Sequence, residues 1–354
     1  MSVFAPTAVA GLPLQNRVVM SPMTRSRAIG NVANDLMATY YAQRADVGLI
    51  ITEGVSPAPD GLGYARIPGM FNEAQSDSWK PVTAAVHAKG ARIFLQLMHT
   101  GRVGHAANLP AGGRVLGASP IAAPGQMWTD SAGMQDHPVP VEMTEADIQA
   151  AIAYFAHAGE LAVRAGFDGV ELHGANGYLI EQFLNTASNQ RSDRWGGTVE
   201  NRARFLLEVV RATAARIGAN KVGIRLSPYG VFNGMQADPD TDALYLHVAR
   251  ELQAAGIAYV HLVDHSSMGA PKPPETLIAG IRAAFTRTLI LSGGYDQARA
   301  EADLAAGRGD LVAFGRPILA NPGFVGKLQR GEPLNGPDFS TFYTPGEKGY
   351  TDYV

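Results

Sequence analysis

The chain has 354 residues, 46% hydrophobic and 17% charged, with a formal net charge of -3. That balance is globular, and without a Lys/Arg run it argues against a nucleic-acid or anionic-membrane partner. The absence of cysteine excludes disulfides, thiolate nucleophiles, iron–sulfur clusters and zinc–cysteine sites.

Taken in order, short apolar runs alternate with helical patterns. A strand over Arg17–Met20 precedes a helix near Asn34–Arg44. Leu49–Thr52 and Arg92–Leu97 are the next strands, with a helix over Asp77–Lys89 between them. The segment Met98–Met143 is rich in Gly and Pro and weakly periodic, as a lid or active-site cap is. Then TEADIQAAIAYFAHAGELAVRAG reads as a helix. Thr144 and Asp147 form a capping-box start, Ile148, Ile152, Phe155 and Val163 share a face, and Gly166 is the stop. The strand Gly169–Leu172 is followed by a helix over Asn201–Ile217 that ends at Gly218. Strands Val222–Leu226, Tyr259–Val263, Thr288–Leu291 and Leu311–Phe314 follow. Helices are expected after them at Thr241–Ala255, Pro274–Ala284, Gln297–Ala306 and Pro322–Gln329.

The strands read as continuous apolar runs, as parallel strands covered on both faces do. Length alone suggests two domains, but eight strand–helix units with right-handed crossovers fit one (β/α)8 TIM barrel over residues 1–354. The segment after strand three would then cap its mouth. A doubly wound open sheet is the structural alternative. No apolar stretch reaches the ~18 residues of a spanning helix. The opening MSVFAPTAVAGLPLQNRVVMSP lacks the pattern of a signal peptide, so a cytoplasmic protein is expected.

In such barrels the chemistry sits just past the C-terminal ends of the strands. Polar and glycine residues recur there: Pro22, Met23 and Thr24; Glu53-Gly54; Gln96 and His99; His173, Asn176 and Tyr178; Arg225; Gly293-Gly294; Gly315-Arg316. A lone histidine after a strand is most often a surface or core residue, and His99, His105 and His157 are read that way. An arginine inside a strand, such as Arg225, either points outward to a helix carboxylate or faces the lumen and needs acceptors. The glycine pairs of strands seven and eight occupy the usual phosphate site of these barrels, and ordinary turns are the bland reading. No G-x-G-x-x-G motif follows a strand, so no resident dinucleotide site is expected. No metal-ligand spacing occurs either; Asp264-His265 is read as loop.

With these residues in hand, the chain resembles the old yellow enzyme family of FMN-dependent alkene reductases, most of all its N-ethylmaleimide reductase-like bacterial branch. The resemblance is carried nearly end to end. Its main segments are MSPMTRSRA, LMATYYAQRADVGLIITEG, IFLQLMHTGR, FDGVELHGANGYLIEQFLN, SNQRSDRWGGTVENRARFLLEVV, VGIRLSP, LVAFGRPILANP and TFYTPGEKGYTDY.

The resemblance implies a tightly bound, non-covalent FMN. Thr24 would bond the flavin O4, with Pro22, Met23 and Gly54 contacting the ring. Gln96 would bind the pyrimidine edge, and Arg225 would stand near N1 and the C2 oxygen. Gly293, Gly294, Gly315 and Arg316 would hold the phosphate. His173 and Asn176 would bind the carbonyl or nitro oxygen of an electron-poor alkene. Hydride would come from reduced N5 and the proton from Tyr178. NADPH (or NADH) would visit the same mouth to re-reduce the flavin, in a ping-pong cycle.

Tyr64, Met98 and Tyr343 match positions lining the substrate side. Relatives often carry Trp at the position of Met98, which suggests room here for bulkier alkenes. The rival readings are another FMN-barrel oxidoreductase and a phosphate-binding barrel lyase or isomerase. A non-catalytic flavin-binding protein is a third. A monomer or homodimer acting on small molecules is expected.

Overall fold

A computed structural model describes residues 2–354. Eight parallel strands close into a barrel in sequential order: β1 (Val18–Met20), β2 (Leu49–Val55), β3 (Arg92–Leu97), β4 (Gly169–Gly174), β5 (Val222–Leu226), β6 (Tyr259–Val263), β7 (Thr288–Ser292) and β8 (Leu311–Phe314). Hydrogen bonding between β8 and β1 completes the ring, so the open-sheet alternative does not hold. The crossover helices are α1 (Asp35–Ala42), α2 (Glu73–His87), α3 (Glu145–Arg164), α4 (Val199–Ile217), α5 (Thr241–Ala255), α6 (Glu275–Ala284), α7 (Gln297–Ala305) and α8 (Phe324–Arg330). No helix among the described residues is long and apolar enough to cross a membrane.

Side-chain caps start several helices. Asn34, Asn72, Thr198 and Asp296 each accept a first-turn N–H of α1, α2, α4 and α7. Thr144 and Asp147 form the full capping box of α3. Such caps contribute about 1 kcal/mol each. Helix α2 begins four residues before the expected Asp77, because Asn72 caps it and Pro81 is accommodated within it.

Strand alternation sorts the side chains into two environments. Leu95, Leu97, Val170, Leu172, Val222, Ile224, Val260 and Leu262 face the helices in the main core. Val19, Leu49, Ile51, Phe94, Tyr259, Ile290, Leu311 and Ala313 pack together in a separate cluster inside the barrel. Val9 and Leu14 join that inner cluster from an N-terminal hairpin, Thr7–Val9 paired with Leu12–Leu14. The hairpin thus seals the barrel at the end where the strands begin. Nearer the strands' C-terminal ends, the same inward register carries polar groups.

The expected capping loop is more ordered than a loop. It contains a hairpin, Gln126–Thr129 with Gly133–Asp136, and a short parallel pairing of Leu116–Gly117 with Val141–Glu142. The mouth also has a rim made by the far end of the sequence. Buried Arg27 donates to the carbonyls of Thr341, Phe342, Gly346 and Lys348 at 2.8–3.2 Å. Arg25 donates to Gly349 O at 2.6 Å and Arg44 to Tyr350 O at 3.1 Å. Tyr350 stacks on Tyr40 at 4.1 Å, and the Arg27 guanidinium lies 4.6 Å over the Tyr350 ring. Burial and the neighbouring Arg25 lower the Arg27 pKa to about 10, so it stays charged at neutral pH.

Arg27→Leu leaves these carbonyls without their donor, a loss of about 3 kcal/mol. Urea unfolding should show that loss, and amide exchange should rise across residues 341–350. A variant with wild-type stability and exchange would refute the clamp.

Candidate active site

Two adjoining cavities open where the strands end. The first, of about 630 Å³, is lined by Pro22, Met23, Thr24, Tyr64, Asn176, Tyr178, Arg225, Gly293, Gly294, Gly315, Arg316 and Tyr343. Twelve residues expected from five separate strand ends and two loops thus meet at one place. The other expected residues, Gly54, Gln96, His173 and Met98, adjoin the cavity without lining it. Met98 is buried with Leu62 and Ile67, against Tyr64 and Tyr178. A Cβ on Gly54 would meet the Met98 sulfur at 2.5 Å.

The floor is a polar layer of the lumen. Glu171 accepts from Gln96 Nε2 at 2.9 Å, and its other oxygen pairs with His261 Nδ1 at 2.9 Å. Arg225 lies beside them. Burial lowers its pKa, and the Glu171 charge opposes that shift. Arg225 Nε and His261 Nε2 are buried without a hydrogen-bond partner. Such groups need an acceptor or donor from outside the protein.

One wall is built from backbone. Gly293 has φ +123, and a Cβ there would sit 2.0 Å from Asp264 O, so only glycine fits. A Cβ on Gly294 would meet the Ser267 Cβ at 2.7 Å. Arg299 Nη1 donates to Gly293 O at 2.8 Å and steadies this turn. Arg316, across from it, has no carboxylate partner among the described residues; its guanidinium lies 5.2 Å over the Phe339 ring.

The opposite wall follows β4. His173 is 4% exposed, with its ring 4.8 Å from the Tyr178 ring, edge to face. Burial first, then Arg225, His261 and His265, pull its pKa well below 6.5, so the ring is neutral. Its Nδ1 accepts from Ala175 N–H at 3.3 Å, which leaves the proton on Nε2. Tyr178 and Tyr64 hydroxyls are 3.0 Å apart. Burial raises the Tyr178 pKa well above 10 and that of Tyr64 to about 12, so both keep their protons.

The second cavity, of about 660 Å³, shares Thr24, Tyr64, Tyr178, Asn233 and Tyr343 with the first. It reaches under the capping hairpin to Met127, Trp128 and Met134. Its charged pair, Arg66 with Asp130, is closed on itself.

Sequence reasoning missed two residues of this site. Asn233 Nδ2 donates to Asn176 O at 2.7 Å, from a loop with no periodic signal. His265, read as loop, lines the first cavity and packs against Phe232. His99 turns away from the mouth and pairs with Asp60 at 3.3 Å.

A glycine cradle beside a free arginine, and a floor with an unpaired guanidinium, fit a planar, phosphate-bearing cofactor. The comparisons with known proteins agree. Residues 2–335 match the model of the NADH:flavin oxidoreductase / NADH oxidase family. The chain belongs to this family. It is the old yellow enzyme family, whose members are FMN-dependent ene-reductases that use NAD(P)H.

The chain is 41% identical to 12-oxophytodienoate reductase 1 of Oryza sativa subsp. japonica, covering 98% of this chain and 91% of that one. Morphinone reductase superposes with a TM-score of 0.96 at 42% identity, over 100% of this chain and 96% of that one. The old yellow enzyme homologue from Zymomonas mobilis gives 0.95 at 35% identity, over 100% and 99%. The rival lyase, isomerase and non-catalytic readings therefore fall away, and this chain is an oxidoreductase of the old yellow enzyme family.

Burial and Arg225 hold the His265 imidazole down to about 4. The unfolded chain binds that proton near pH 6.5. Stability contributed by neutral His265 is therefore present above pH 6.5 and lost as pH falls toward 4. Urea midpoints should fall more steeply on acidification for the wild type than for His265→Gln. Parallel curves would refute the assignment.

Proposed function

We propose that the chain reduces the C=C bond of α,β-unsaturated carbonyl or nitro compounds, with His173 and Asn176 as oxygen-binding donors and Tyr178 as the general acid. FMN held in this mouth, and re-reduced by NADPH or NADH, would supply the hydride from N5 for the β-carbon. His173 offers Nε2–H, and as a neutral ring it stabilises growing negative charge without giving up its proton. Asn176 offers a second donor from the cavity wall. Both draw electron density from the double bond. Tyr178 retains its proton until the α-carbon becomes basic, then delivers it. The Tyr64 hydroxyl, in hydrogen-bond reach of Tyr178, keeps that phenol aimed.

The cofactor residues are those that the family resemblance implies, and their convergence at the mouth supports them. Arg225 and Gln96 would meet the pyrimidine edge, Thr24 the O4, Pro22, Met23 and Gly54 the ring, and Gly293, Gly294, Gly315 and Arg316 the phosphate. The observation that carries the reading is the meeting of His173 and Tyr178, 4.8 Å apart, beside a floor that leaves Arg225 Nε unpaired. The reading includes one catalytic unit over residues 1–354, working as a monomer or homodimer in the cytoplasm.

Purified protein should be yellow, bleach anaerobically with NADPH and recover its absorbance on adding 2-cyclohexenone. His173→Ala or Asn176→Ala should lower the recovery rate by ~10²–10³ with FMN retained. Recovery at the wild-type rate in both variants would remove them from the mechanism.

Met98 supports the aromatic wall from behind, next to Gly54. Met98→Trp adds volume there and should push Tyr64 and Tyr178 into the cavity. Bulky alkenes should then react more slowly and with altered product enantiomers. Unchanged products across several bulky substrates would count against a role in specificity.

A further inference from the structure

The geometry points to Glu181 as the positioning residue of the active-site turn, which it holds through Gly177 N–H and, by way of Ser227, through Asn176 N–H. Glu181 lies on the short helix Leu179–Leu184, is 2% exposed, and does not line either large cavity. Its Oε2 accepts from Gly177 N at 2.6 Å. Its Oε1 accepts from Ser227 Oγ at 2.8 Å and from Tyr245 OH at 3.1 Å. Ser227 Oγ in turn accepts from Asn176 N at 3.0 Å. Successive amides flanking the catalytic side chains thus end on one carboxyl group.

The turn needs such a hold. Asn176 has φ +61, in the left-handed region that non-glycine residues rarely adopt. Its carbonyl is taken by Asn233, and Gly177 O by Gln182 Nε2 at 2.7 Å. The two N–H groups are left for the Glu181 side. Three donors converge on this side chain, two of them hydroxyls that must donate elsewhere if it cannot accept. An ionised carboxylate has acceptor capacity for all three and no competing donor. No cation lies within ion-pairing distance of it among the described residues; Arg202 and Asp238 act on Tyr245 from farther out. Burial raises the Glu181 pKa to about 7. A carboxyl kept in such surroundings is held there by its hydrogen bonds, as expected of a group with a geometric task.

This inference rests on the proposed roles of Asn176 and Tyr178. The test compares FMN-loaded wild type, E181L and E181Q. E181L should bind FMN with wild-type affinity but reoxidise with 2-cyclohexenone about 10- to 100-fold more slowly, because the donors are misplaced by a fraction of an ångström to an ångström. In D₂O, E181L should also lose the single-face deuteration of the α-carbon that a fixed Tyr178 imposes. Cyclohexanone, an unreactive ketone, should bind E181L more weakly by flavin absorbance titration. E181Q keeps an acceptor for Gly177 and should recover most of all three properties.

Wild-type rate, deuteration and ketone affinity in E181L would overturn the inference. So would a loss of FMN affinity matching the loss of rate, which marks general disruption. A wild type that fails with 2-cyclohexenone would instead sink the proposed function, while the ketone titration would still judge Glu181.

Discussion

A guanidinium inside a barrel is the constraint on which this site turns. Arg225 comes from mid-sheet, so its side chain cannot swing to water. Glu171 provides the nearest opposite charge, but both of its oxygens are engaged by Gln96 and His261. Taking a cation out of water costs several kcal/mol, and attraction at a distance repays only part. The remaining acceptor has to come from the cavity above. In the proposed complex the electron-rich edge of the flavin would be such an acceptor, and a better one on reduction. On that proposal, cofactor affinity and redox tuning would be two faces of one electrostatic requirement.

The walls obey a complementary rule. Each group that would meet an alkene is a donor kept uncharged. Burial strips His173 of its second proton and holds Tyr178 to its only one. A neutral imidazole can donate Nε2–H to the growing negative charge and still keep its proton. A phenolate could not give a proton afterwards. Desolvation, which elsewhere is a penalty, here sets both protonation states across a wide range of pH.

Much of this was legible in the chain. Apolar runs of four to six residues between helical periods identified every barrel strand, because parallel strands covered on both faces have a distinctive pattern. The strand ends were legible because polar groups are conspicuous where a core run stops. Gly293 was legible as a type, although only its approach to Asp264 shows why no other residue fits. What stayed hidden was long-range. Asn233 and His265 lie in aperiodic loops, and their value comes from what they face. The capping hairpin was hidden because its strands alternate only over four residues. Arg25, Arg27 and Arg44 gave no hint of their partners, since a buried arginine reads as a surface one until its acceptors are known. Met98 was singled out from the sequence, but its place behind the wall depends on the packing of Tyr64 and Tyr178.

The arginine clamp has a consequence in time. Arg25 and its acceptor on Gly349 are 324 residues apart. At ribosomal speeds of about 5–20 residues per second, roughly 16 to 65 s separate the synthesis of the two. Through most of that interval β2 to β8 are made while Phe342 and Tyr343 do not yet exist. A nascent barrel of this kind is a vessel without a lip: its last stave ends at Phe314, and the segment that grips the mouth is made only after it.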